Sequence, residues 1–155
     1  MIACFLGGAW VRNDHVNEIR RINYLTSESK AIYHLSSLKL GISDSVSMVL
    51  YAIYVNGEAC LLSDIYKSFG ISKQTINSAI RSLEADGVLY LEQHTGRSKM
   101  VVLTDKGKAF VQTTVARLYQ AELGALDSWT EDEISTYLRL MEKYNDCFRQ
   151  QIEKL

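Results

Sequence analysis

The chain has 155 residues, 47% of them apolar and 23% charged, with 17 basic and 18 acidic side chains for a formal net charge of −1. That balance excludes disordered and fibrous classes, and the length suits one domain with a real core. There is no proline and there are only nine glycines, which favours helices joined by short glycine-ended connections over a many-turned β fold.

Val16, Ile19, Ile22, Ile32, Leu35 and Leu38 recur at roughly helical spacing over residues 14–40, with Gly41 as a stop. The polar centre TSESK is where a kink or break is expected. Ser43 then caps a helix carrying Val46, Val49, Leu50 and Ile53 on one stripe and ending at Gly57. A short helix follows over about Leu61 to Phe69, stopped by Gly70. Ser72 opens a further helix that ends at Gly87. The runs VLYLEQ and MVVL flank HTGRSK and predict a hairpin with Gly96 at its tip. A long helix is expected from Thr104 through Ala125. The last helix starts at WTEDEI, where Thr130 and Glu133 have capping-box spacing and Trp129 and Ile134 sit as a hydrophobic staple would. The order is that of a winged helix-turn-helix, mainly α with a small β-hairpin, with long amphipathic helices left over at both ends. Such end helices commonly pair across a two-fold axis.

The segment GISKQTINSAIRSLEADG carries the chemistry. With Lys73 at 0° and about 100° per residue, Gln74, Asn77, Ser78 and Arg81 fall between about 40° and 140°. Ile76, Ala79, Ile80 and Leu83 fall opposite, between about 240° and 340°. An ordinary solvated face would be mostly Lys and Glu. Amides, a hydroxyl and a guanidinium are instead the groups that read base edges: Asn and Gln pair with adenine, Arg with guanine, Ser with several bases. Lys73 and the helix start suit a phosphate. The hairpin tip adds Arg97 and Lys99 on a projecting loop that reaches the minor groove or flanking phosphates. Charge follows the same division. Lys67 to Lys108 holds seven basic residues against four acidic, a net +3 that leaves −4 for the rest.

LGISDSVSMVLYAIYVNG, GISKQTINSAIRSLEADGVLYLE and GRSKMVVLTDKGKAF together resemble MarR-family winged-helix transcription regulators. The resemblance is close over about Leu40 to Phe110 and rests on layout alone at the ends. It implies N- and C-terminal dimerisation helices, a homodimer on the double-stranded DNA of a palindromic operator, usually a repressor, and a small-molecule effector pocket between the dimer helices and the DNA-binding lobe. Three parts are expected: 1–40 with the N-terminal segment and first dimerisation helix, 41–110 as the DNA-binding lobe, and 111–155 as the C-terminal dimerisation helices. By that match Ser72, Lys73, Gln74, Thr75, Asn77, Ser78 and Arg81 form the recognition helix, and Gly96, Arg97, Ser98 and Lys99 the wing tip. The wing departs from the family in having Thr95 where an acidic residue is common, and in a shorter loop. Tyr24, Tyr33, Tyr51 and Tyr54 lie on the helices that line the family's effector site. Taken singly, each is more simply a core or interface side chain.

Cys4, Cys60 and Cys147 are odd in number and form no C-x-x-C pair, which points to a reducing compartment. No apolar run reaches membrane-spanning length, and the apolar opening MIACFLGGAWVR lacks the basic start of a secretory signal, so a cytoplasmic location without a membrane partner is expected. His15, His34 and His94 lack metal-ligand spacing. Neither a cofactor loop nor a nucleophile–base set stands out, so no metal, cofactor or enzymatic activity is expected. The rival reading is a winged helix used as a protein-interaction module, which the charge of −1 keeps open. Such a face would be richer in large apolar anchors.

Overall fold

The computed structural model describes residues 15–68 and 70–155, with the backbone of residues 5, 6, 9 and 10. Phe5–Leu6 (β1) and Ala9–Trp10 (β2) pair antiparallel. The rest of the apolar opening and Phe69, where the short helix was expected to end, lie outside the described residues.

Helix α1 runs unbroken over Val16–Leu40. TSESK does not interrupt it: Ser29 returns its hydroxyl to the Leu25 carbonyl at 3.0 Å, and the neighbouring polar side chains face outward. Gly41 ends the helix in the left-handed region at φ 69°, where its N–H reaches the Leu38 carbonyl. Ser43 caps α2 (Asp44–Val55) by accepting the Val46 N–H at 3.3 Å. This second helix is the hub. Val49, Leu50 and Ile53 are fully buried, and α2 packs on α1, on the three helices α3 (Leu62–Ser68), α4 (Lys73–Ala85) and α6 (Val115–Leu126), and on strands β3 (Ala59–Leu61) and β5 (Lys99–Leu103).

The expected hairpin is one strand larger. β4 (Leu89–Gln93) pairs with β5, and β3 adds to the other edge of β5, giving the antiparallel order β3-β5-β4. β3 takes in Leu61, the first residue of the short helix expected from the sequence, and α3 begins one residue later at Leu62. Cys60 is buried from this strand beneath α2 and α3. The chain enters it through Glu58, held at φ 76°, whose carbonyl accepts the Leu103 N–H at 3.0 Å.

The long helix expected from Thr104 is two helices, α5 (Asp105–Thr113) and α6, broken at Thr114. The run Thr113-Thr114-Val115 is β-branched throughout, and both threonine hydroxyls donate to the Phe110 carbonyl, at 3.0 and 2.7 Å. Those bonds compete with the helical ladder. Thr114 leaves the helix at φ −121°, ψ −99° and is buried. The last helix, α7 (Glu131–Ile152), begins with the expected capping box between Thr130 and Glu133. Trp129 packs edge-on against Tyr137, ring centroids 5.5 Å apart. No residue of α7 is buried.

One junction fixes the end of α4 against α5. The Thr104 hydroxyl accepts the Gly107 N–H at 3.0 Å and donates to the Gly87 carbonyl at 2.7 Å. Gly107 approaches so closely that a Cβ there would lie 1.9 Å from the Val88 carbonyl oxygen. A methyl group must therefore push the helix start away from β4. Gly107→Ala is expected to cost about 1–3 kcal/mol, the range for overpacking a filled site, and to lower the melting temperature in a thermal unfolding scan.

Candidate nucleic-acid interface

Helix α4 is held by Ile76, Ala79, Ile80 and Leu83, all 5% exposed or less, the same four residues the sequence placed on its apolar side. Burying them leaves Gln74, Ser78 and Arg81 exposed on the opposite side, with Lys73 exposed at the helix start. The Arg81 guanidinium has no ion-pair partner among the described residues, nor have Lys73, Arg97 and Lys99. At the helix start, the Ser72 hydroxyl accepts the Thr75 N–H at 3.1 Å and lies 2.9 Å from the Thr75 hydroxyl. Both side chains are thus engaged in the cap. The first-turn amides of Lys73 and Gln74 have no helical carbonyl to bond, as at any helix start, and present donors to an anion.

Asn77 differs from its neighbours. It is half-buried, and its Oδ1 accepts the Tyr66 hydroxyl at 2.6 Å. The same tyrosine, from α3, lies under Lys73, whose Nζ is 5.5 Å from the ring centroid. Tyr66 thus touches two of the residues read from the sequence. It carried no local signal, because the turn between α3 and α4 brings it there.

The wing projects beside this helix. The chain reverses at Thr95–Ser98, closed by Ser98 N–H to the Thr95 carbonyl at 3.0 Å, with Gly96 at φ 58° where a side chain would be strained. Gln93 reaches across to the Gly96 and Ser98 carbonyls. Arg97 and Ser98 occupy the exposed turn, while Lys99 is the first residue of β5, opposite Gln93, and also exposed. The cross-turn bonds from Gln93 brace the backbone of the turn.

The four tyrosines divide. Tyr33 and Tyr51 both donate to Glu122 on α6, Tyr33 to Oε1 at 2.6 Å and Tyr51 to Oε2 at 2.5 Å. Tyr51 and Tyr54 each meet Tyr119 edge-on, at 6.2 and 5.7 Å. Tyr24 stands apart, near the N-terminal end of α1, with Arg21 over its ring. The Glu122 carboxylate, aided by partial burial, raises the Tyr33 hydroxyl to about 12. Burial first and Glu122 second push Tyr51 up as well. A sequence signal for Glu122 existed: it continues the stripe Val115, Leu118, Tyr119 as an acid on an apolar face. Tyr54 and Tyr119 also wall a cleft of about 340 Å³, with the Glu58–Lys108 ion pair (2.9 Å) at its edge.

Among the described residues no group of three or more His, Cys, Asp or Glu side chains is placed to hold a metal, and no single helix is long and apolar enough to cross a membrane. Cys60 is buried, which raises its thiol to about 11, and Cys147 is exposed on α7.

No curated protein sequence matches this chain. Residues 40–98 match the model of the MarR family. Among solved structures, the chain is similar to a MarR family regulator from Neisseria meningitidis at 14% identity, covering 92% of this chain and 99% of that one with a TM-score of 0.76. It is similar to a MarR family transcriptional regulator from Listeria monocytogenes complexed with 26mer DNA, at 19% identity, 86% and 89% coverage and a TM-score of 0.65. It is also similar to BpsR of Bordetella bronchiseptica, whose DNA binding is regulated by 6-hydroxynicotinic acid, at 21% identity, 81% and 98% coverage and a TM-score of 0.57. The family model falls on residues 40–98, from α2 to the wing tip, and the likeness to the solved structures extends over the terminal helices, so the chain has the winged helix-turn-helix fold of those regulators with their flanking helices.

Proposed function

We propose that this protein is a sequence-specific DNA-binding transcription regulator that acts as a homodimer on a palindromic operator, as a repressor released by a small molecule. The observation that carries the reading is the division of α4: an apolar side sealed into the core, and a free side of Gln74, Ser78 and Arg81 with no apolar anchor. A protein-docking surface would present large apolar side chains at its centre; this side suits the major groove instead. Arg97 and Lys99 on the wing, both without ion-pair partners among the described residues, suit phosphates or the minor groove. We assign residues 41–110 to DNA binding, and 1–40 with 111–155 to dimerisation.

Support for the dimer comes from the terminal helices. Ile32, Leu35 and Leu38 on α1, and Leu138, Met141 and Phe148 on α7, are each 44–62% exposed. Apolar faces on this scale mark association surfaces. A two-fold axis through them would set the two α4 helices to read half-sites about 34–36 Å apart, one turn of the duplex. The Glu122 clasp, which joins α1 and α2 to α6 through Tyr33 and Tyr51, lies where the frame meets the reading lobe, and we assign effector sensing to it and to Tyr54. Tyr24 stands too far along α1 to join the cluster within one subunit.

In anisotropy titrations, binding to a selected duplex should fall steeply with added salt as counterions are released. Arg81→Ala should lose base preference at one position, costing about 1–3 kcal/mol, whereas Lys99→Ala should weaken all sequences alike. Sedimentation should give a dimer for the wild type and a monomer for Leu138→Glu/Met141→Glu, since charge on a buried apolar face is costly. Tyrosinate absorbance should report phenols titrating above the ordinary value of 10.0, one of them Tyr33 near 12. Because the folded value is raised, the contribution to stability is complete below pH 10 and is lost as the pH climbs through about 12. Glu122→Gln should lower the Tyr33 phenol most, as the anionic acceptor is gone, while burial keeps Tyr51 raised.

A further inference from the structure

Resting on the assignment of effector sensing to Glu122, we propose that the ligand sensed there is an organic cation, held by the Glu122 carboxylate and the tyrosine rings around it. The carboxylate is half-buried where three helices meet, and its hydrogen-bond partners are neutral: the Tyr33 hydroxyl from α1 and the Tyr51 hydroxyl from α2. Among the described residues no Lys, Arg or His stands within ion-pair distance of it. Both phenols are raised, Tyr33 to about 12, so they donate to the charge without cancelling it. Partial burial strengthens the pull of that charge on a ligand, because less water screens it. Tyr51 and Tyr54 meet Tyr119 at steep angles, 61° and 75°, so the three rings do not cover one another face to face. A ring face attracts a cation, and clustered aromatic rings are how alkylated ammonium groups are held. The cluster is reached from solvent on its Tyr33 side, that residue being 50% exposed. Tyr54 and Tyr119 also wall the adjoining cleft of about 340 Å³, space for an apolar substituent. The charge of −4 outside residues 67–108 favours cations around these helices. An anionic ligand fares worse. It meets a like charge, and it gains a phenol hydrogen only by taking it from Glu122.

Calorimetric titration of the full-length protein tests this with three benzyl or phenyl probes of different charge: benzyltrimethylammonium, benzyl alcohol and benzoate. The wild type should hold the cation about tenfold more tightly than either of the others. Glu122→Gln keeps the side-chain length and an oxygen for the phenols but removes the charge, so it should erase most of that preference. Tyr119→Leu should weaken the cation about threefold and leave the other two probes where they are. A variant that merely folds poorly would weaken all three probes together and keep the preference among them. In a second arm, benzyltrimethylammonium should weaken binding to a selected duplex more than equal sodium chloride does, and Glu122→Gln should abolish the difference. Benzoate held as tightly as the cation, a cation preference that survives Glu122→Gln, or a wild type that holds no probe overturns the cation site. A cation that binds as described yet leaves DNA affinity unchanged overturns effector sensing by this cluster, while the cation site stands.

Discussion

Four apolar side chains, Ile76, Ala79, Ile80 and Leu83, fix the rotation of α4 about its own axis, and the other features of the reading surface follow from that rotation. Each is 5% exposed or less, and burying such side chains contributes roughly 1.5–3 kcal/mol apiece for the larger ones. A turn of α4 by one residue would bring Asn77 or Arg81 into the core unpaired, at a cost of the same order per group. The helix therefore has one stable setting. Gln74, Ser78 and Arg81 face outward because their neighbours cannot. The Thr104–Gly107 junction pins the far end of the same helix to α5, so the reading surface is rigid at its C-terminal end as well as along its length.

Much of this was readable from one sequence, for reasons that differ by element. Gly41, Ser43, Ser72, Gly87, Thr104 and the Thr130–Glu133 pair are local signals, in which a cap or stop is decided within a few residues, and the structure places each as expected. The apolar stripe of α4 is periodic and equally local. What could not be read depends on partners far along the chain. β3 forms because β5 has a free edge to offer, a fact absent from residues 59–61 themselves. The break at Thr114 arises from a short β-branched run whose hydroxyls turn back on the helix, and apolar periodicity is blind to it. Tyr66 and Glu122 act across 11 and 71–89 residues of sequence, so neither could be paired with its partners before the helices were docked.

The frame and the lobe that carries α4 are joined by apolar packing of Val115 and Ala116 with the α2 core and, beside it, by a polar cluster. α1 and α6 meet α2 through Tyr33, Tyr51 and the single carboxylate of Glu122, where an ordinary core would place leucines. α7 contributes no buried residue to the core. In the proposed effector role, a ligand that competes for Glu122 would act on α1, α2 and α6 together, the three helices its carboxylate joins.

In the proposed mode of action the outward side of α4 enters the major groove twice, across a two-fold axis. Methylation interference on a bound duplex measures this directly, because methyl groups at guanine N7 project into the major groove and block only what is seated there. Two patches of interference are expected, centred about one helical turn apart and related by the symmetry of the site. Binding that is untouched by major-groove methylation, or a single patch with no symmetry mate, would contradict it.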